Sequence, residues 1–221
     1  MPVPTVFITG ARVGLGEEFA RQYRSEGWQV IAPTRGELDV TDHKSIGSFV
    51  DGLDGVPIDL LINNAGIRST HPSACTLGSF TLEGWLPTFA VNTVGPALVT
   101  QALLPNLMRG TARKIVTLSS RLGSIEAGNG SNSGGGGSSY YAYRASKSAV
   151  HQVNRCLSID LEPDGFVCAL LNPGWVRTGM GGEKALLTPR ESVARMRMVI
   201  EQLTPAQNGK FVDCDGTVLP W

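Results

Sequence analysis

Apolar residues arrive in two rhythms along this 221-residue chain. Compact runs of Val, Ile, Leu and Phe at 3–9, 28–33, 58–63, 114–119, 166–171 and 210–213 read as strands. They scarcely alternate with polar residues, which is the pattern of strands covered on both faces. Between them, residues with helical spacing occupy about 15–26, 82–108, 140–161 and 189–203. A shorter helix is expected from Thr41 or Asp42, either of which can cap it, through Val50. Gly27 is placed to stop the first helix, and Gly95-Pro96 to bend the second. Strand and helix alternate from end to end. The pattern predicts an α/β fold, a doubly wound parallel sheet flanked by helices, in one domain over 1–221 without internal repeats.

One connection breaks the rhythm. The second strand ends near Thr34, and Glu37-Leu38-Asp39-Val40 follows at once. Adjacent parallel strands need a crossover of about a dozen residues, and there is no room for one. The sheet should therefore have one edge strand missing or shortened. A second irregularity lies at 130–139, which is Gly and Ser throughout except for Asn132. Such a run lacks apolar anchors and should form a flexible loop across about 126–139, either a tolerated surface insertion or a lid.

Formal charge is zero and no basic run stands out, which argues against nucleic acid and anionic membrane as partners. No apolar stretch approaches spanning length. The first strand begins directly after Met1-Pro2, so no secretory leader is expected and the cytoplasm is the expected compartment. Cys75, Cys156, Cys168 and Cys214 are dispersed, as are His43, His71 and His151; reduced thiols and no metal site are expected.

Tyr143 and Lys147 stand four residues apart on a predicted helix, hence on one face. A nearby ammonium favours a tyrosinate and would make the phenol a usable acid–base group. Gly10, Gly14 and Gly16 lie in the first strand–helix turn. There, glycine lets the backbone approach a pyrophosphate, and the helix N-terminus favours its charge. The spacing is G-x-x-x-G-x-G, not the more familiar G-x-G-x-x-G.

Six motifs occur in order: the glycine turn, Asn63-Asn64-Ala65-Gly66, Val91-Asn92, Ser119-Ser120, Tyr143-x-x-x-Lys147 and Pro173-Gly174. Together they resemble the short-chain dehydrogenase/reductase family over nearly the whole chain. The segments 141–148, 173–180 and 208–221 are similar to the compact sniffer-like carbonyl reductases and their C-factor-like relatives. The resemblance implies a Rossmann-type fold and hydride transfer between NAD(P)(H) and a small carbonyl or alcohol compound. It also implies roles. Tyr143 would be the proton donor or acceptor. Lys147 would lower its pKa and bond the nicotinamide ribose. Ser120 would hold the substrate oxygen while Ser119 faces the core, and Asn92 would hold a relay water. Gly10, Leu15, Gly14 and Gly16 would line the pyrophosphate, and Asn64, Ala65 and Gly66 the adenosine side. Asp39 and Val40 would contact adenine. Pro173 and Gly174 would border the nicotinamide, with Val176 and Thr178 orienting its carboxamide. A homodimer or homotetramer through the two long helices is implied as well.

Cofactor choice follows from charge. NAD enzymes close the second strand with an acidic residue on the ribose hydroxyls. Here Thr34-Arg35 stands at that place, with Arg12 in the glycine turn. Arg can pair with a 2′-phosphate, so NADP(H) is favoured; Glu37 leaves NAD(H) open. Walls of the substrate pocket are expected from 121–125, which includes Leu122, from Tyr140, from Trp175 and from the stretch after Thr178. Trp175 and Met180 suggest an apolar or aromatic ketone or aldehyde, although ordinary packing would explain them equally. The alternative is a dinucleotide-binding C-factor-like signalling protein without turnover. Ser120 lies 23 residues before Tyr143, a wider interval than the resemblance leads one to expect, and the Gly/Ser run accounts for the excess.

Overall fold

The structure, a computed structural model, describes residues 3–127 and 140–221. The Gly/Ser run at 130–139, read above as lid or insertion, lies outside the described residues.

Six parallel strands form one sheet: β1 (Thr5–Ile8), β2 (Gln29–Ile31), β3 (Leu60–Asn63), β4 (Lys114–Leu118), β5 (Val167–Asn172) and β6 (Phe211–Asp213), in the order β2-β1-β3-β4-β5-β6. Successive side chains of a strand point to opposite faces. Val6, Ile8, Leu60, Ile62, Val116 and Leu118 accordingly pack on one side, with Phe19 and Tyr23 of α1 (Gly14–Ser25) and Val193, Met196 and Ile200 of α7 (Pro189–Gln202). Phe7, Leu61, Ile115 and Cys168 point the other way. There they meet Ile46 of α2 (His43–Asp51) and Val99, Leu103 and Leu107 of α5 (Gly95–Arg109). Asp42 is the residue that caps α2, through Lys44 N, and Thr188 caps α7 reciprocally with Glu191. Two shorter elements, α3 (Pro72–Cys75) and α4 (Leu82–Phe89), precede α5, and α6 (Tyr141–Asp160) lies over β5.

The shortened sheet edge is observed: β2 is the outermost strand, and nothing pairs beyond it among the described residues. Leu38 and Val40 are buried in the core beneath α2 and α5 instead of forming a strand. Val40 packs so closely on Gly95 that a Cβ there would stand 3.1 Å from it.

The expected helix at 82–108 needs correction. The chain turns through a π-helical segment at Ala90–Val94, ahead of Gly95-Pro96, before α5 continues. The cause is visible in Asn92, whose side chain is wholly buried and bonded outside its own helix.

The chain runs outward from β1 to β2, then returns to β3 on the other flank of β1. Helical connections diverge at that switch point, leaving a crevice beyond the carboxyl ends of β1 and β3.

Candidate active site

The floor of the crevice is the turn between β1 and α1. Gly10 and Gly14 have φ of 66° and 68°, a region that side chains disfavour. A Cβ on Gly10 would lie 2.8 Å from Ala65 Cα, and one on Gly16 2.5 Å from both Asn64 Nδ2 and Gly10 O. Asn64 fastens the floor: its Nδ2 donates to Thr9 O at 2.8 Å and Gly10 O at 3.0 Å. Thr9 Oγ1 in turn accepts from the amides of Asn64 and Ala65, each at 3.0 Å. Val13, at the N-cap of α1, supplies no side-chain cap, so the first amides of that helix stay available. Leu15 packs against the core on the α1 and α7 face, while Arg12 is exposed at the rim. Thr178 stands across the crevice, with its Cγ2 3.6 Å from where a Gly14 Cβ would be. Bare backbone, free helix amides and no acidic side chain in the turn suit a dinucleotide pyrophosphate.

Further out, Thr34 and Arg35 are exposed after β2. Glu37 is turned back onto Thr34, accepting from its N at 2.7 Å and its Oγ1 at 2.8 Å, and these bonds hold its carboxyl below the ordinary range. Arg35 Nε donates to Asp39 Oδ2 at 3.0 Å, with the Arg35 side chain 83% exposed. Asp39 also accepts from Thr41 N and Oγ1 at 2.9 and 2.7 Å. Val40 is buried.

Residues from the π turn ahead of α5, from the end of β4 and from α6 meet on the inner side. Asn92 Oδ1 accepts from Ile67 N at 2.8 Å; its Nδ2 donates to Ile67 O at 2.8 Å and to Ser146 Oγ at 3.0 Å. Gly66 sits beside it, and a Cβ there would be 3.5 Å from Asn92 Oδ1 and 3.8 Å from Lys147 Nζ. Ser120, just past β4, lies beside the Tyr143 phenol and favours its ionised form. Lys147, one helical turn along α6, donates from Nζ to Leu118 O at 2.8 Å. Asn92, Ser120, Tyr143 and Lys147 are therefore brought together. On the far wall, Pro173 O accepts from Ser192 Oγ at 2.7 Å, Gly174 has φ of 78°, and Val176 is buried beside Leu187. Trp175 Nε1 donates to Gly181 O at 2.8 Å, and Leu122 N donates to Ser120 Oγ at 3.2 Å.

Burial pushes the Tyr143 phenol above its ordinary pKa, opposed by Ser120 and by the charge of Arg68. The Lys147 ammonium is turned to the Leu118 carbonyl, 5.9 Å from the Tyr143 ring centroid. Burial also lowers Lys147 itself, to about 8.

Two neighbours escaped the sequence reading. His151 continues the Tyr143–Lys147 face by another four residues, a spacing that was there to be seen. Its Nε2 shares a 2.6 Å hydrogen bond with Ser119 Oγ, and burial, then the Lys147 charge, depress its pKa to about 4. Ser119 thus faces the core, as expected. Arg68, two residues past Gly66, had no sequence signal; its partners come from distant segments.

The sequence pattern of the family described as "short chain dehydrogenase" matches residues 36–186. C-signal of Myxococcus xanthus is 44% identical over 174 residues, 79% of this chain and 99% of that protein. Among solved structures, the NADPH-bound carbonyl reductase from chicken fatty liver is 30% identical, with a TM-score of 0.87 over 100% of both chains. Carbonyl reductase Sniffer of D. melanogaster is 28% identical, with a TM-score of 0.85 over 100% of both chains. The chain belongs to the short-chain dehydrogenase/reductase family of oxidoreductases. Among the described residues there is no group of side chains able to hold a metal ion, and no helix is long and apolar enough to cross a membrane.

Proposed function

We propose that this protein is an NADP(H)-dependent carbonyl reductase acting on small apolar or aromatic ketones and aldehydes, with Tyr143 as its acid–base group. The observation that carries the reading is the gathering of Ser120, Tyr143, Lys147 and Asn92 at the inner end of a glycine-floored crevice. NADP(H), when bound, supplies the hydride for reduction and accepts it in the reverse direction. Gly10, Gly14 and Gly16 let the α1 amides approach the pyrophosphate, and Leu15 backs that turn. Asn64, Ala65 and Gly66 border the adenosine side, as do Asp39 and Val40. Arg35 and Arg12 favour the 2′-phosphate, and the bonds that turn Glu37 back onto Thr34 support that choice over NAD(H). Pro173, Gly174, Val176 and Thr178 border the nicotinamide face.

Charge develops on the substrate oxygen as the carbonyl carbon is reduced. Ser120 and Tyr143 both donate to that oxygen, and their bonds strengthen with the charge. Tyr143 then releases its proton to the new alkoxide, leaving a tyrosinate. Lys147, one helical turn from Tyr143, would bond the nicotinamide ribose when the cofactor is bound, and its ammonium would stabilise that tyrosinate and so lower the phenol's pKa. Asn92 braces this arrangement through Ile67 and Ser146. Leu122 and Trp175 form apolar walls. The exposed apolar residues Leu82 and Leu86 on α4, Val94 in the π turn and Ile159 on α6 support self-association, which sedimentation would register.

Tyr143→Phe tests the core of the proposal. With a panel of aldehydes and ketones, turnover should fall by roughly 10²–10⁴-fold while NADPH binding, read by fluorescence titration, persists. Near-normal turnover in the variant would refute the assignment. A wild-type protein that binds NADPH but reduces nothing would favour the signalling alternative.

A further inference from the structure

Arg68 lies on the substrate side of the crevice and ties together two of its walls. Its Nη2 donates to Met180 O in the stretch after Thr178. Its guanidinium carbon stands 4.6 Å from the centroid of the Tyr140 ring, the residue immediately before α6. Tyr140 is itself held at φ 67° and ψ 40°, a left-handed conformation that a bulky side chain adopts only under constraint. The ring is thereby kept beneath the guanidinium, three residues from Tyr143.

The guanidinium is under-satisfied. Nε is shielded from solvent, and among the described residues it has no hydrogen-bond acceptor and no acidic side chain pairs with Arg68. A shielded cationic donor with no protein acceptor is suited to take an anionic acceptor from a ligand. A carboxylate is the group whose planar oxygens match a guanidinium, while the aromatic face of Tyr140 accommodates the cation from behind. Arg68 is close enough for its charge to act on the Tyr143 phenol, so an anion bound there would lie near the reacting carbonyl.

Resting on the reductase reading above, we infer that Arg68 is a specificity-determining residue that selects carbonyl substrates bearing a carboxylate, that is, oxo acids or formyl-substituted acids. The apolar walls at Leu122 and Trp175 then hold the carbon skeleton between the carboxylate and the carbonyl group. Arg68 acts as an orienting group: the anion fixes which end of the substrate faces Ser120 and Tyr143.

The test uses 2-, 3- and 4-carboxybenzaldehyde against their own methyl esters, with NADPH. At least one acid should exceed its ester in kcat/KM by about tenfold or more, the effect of one charge-assisted hydrogen bond. Arg68→Met should bring that ratio close to one, and Arg68→Lys should restore part of it. If Arg68 only latches Met180 in place, Arg68→Met will depress acid and ester alike, and the inference fails. It fails also if wild-type protein shows no preference for any acid. Calorimetric titration with the three acids and their esters reads the same site without turnover. A protein that binds an acid through Arg68 yet reduces no aldehyde would keep the anion site and overturn the reductase reading instead.

Discussion

Lys147 should cost the folded protein stability, and replacing it should show this. The ammonium is buried, and desolvation lowers its pKa from 10.5 to about 8. At about 1.36 kcal/mol per unit, holding the charge inside at neutral pH costs about 3 kcal/mol. Against this stands the 2.8 Å bond to Leu118 O, whose loss leaves a buried acceptor unpaired at about 1–2 kcal/mol. Lys147→Met should therefore stabilise the cofactor-free protein by about 1–2 kcal/mol near pH 7, while abolishing turnover. The pH dependence is the sharper signature. Between the folded and unfolded pKa values the unfolded chain binds more protons, so wild-type stability gains from Lys147 as pH rises from about 8 to 10.5. The advantage of the variant should shrink by about 2 kcal/mol between about pH 7.5 and about pH 9.5. Urea denaturation of both proteins at matched pH measures it. Taking the difference cancels the buried thiols of Cys168 and Cys214, raised by burial to about 12 and about 11, which titrate in both. A variant less stable than wild type by the same amount at every pH would refute the reasoning.

Three other perturbations follow from the same structure. His151, depressed from 6.5 to about 4, contributes stability above its unfolded pKa that is lost as pH falls towards 4, about 3 kcal/mol in all. His151→Phe should flatten the acid limb of stability between those values, and an unchanged limb would sink the idea. Gly16→Ala places a Cβ 2.5 Å from Gly10 O and 2.9 Å from Ala11 Cα, so thermal denaturation should show a loss of about 1–3 kcal/mol and NADPH titration a weakened affinity. Arg35→Ser should lower kcat/KM with NADPH by about tenfold and leave NADH little affected; equal losses on both would remove Arg35 from the 2′-phosphate site.

Much of the site could be read from local pattern because local geometry places it. Glycines at 10, 14 and 16 follow a strand and open a helix, and any such turn presents bare amides. Tyr143 and Lys147, four apart, must share a face of α6, and His151 shares it too. The shortened sheet edge was equally legible, because a crossover has a minimum length and the chain after Thr34 does not provide it. The π turn was not, because it depends on where the Asn92 amide finds its partners, Ile67 and Ser146, across the crevice. Nor was the orientation of Lys147 towards Leu118 O, since spacing places a side chain on a face but does not choose its acceptor.

Sequence by itself determined the alternation of strands and helices, the parallel sheet and the residues of the glycine floor, because period, turn chemistry and connection length are properties of neighbouring residues. Tertiary structure decided which polar groups meet. It brought Ser120 to Tyr143, closed Glu37 onto Thr34 in the folded turn, and left Arg68 between Tyr140 and Met180 with Nε unpartnered. Burial and charge there depend on segments that only folding brings together, and those two quantities set what each group can bind and when it gives up a proton.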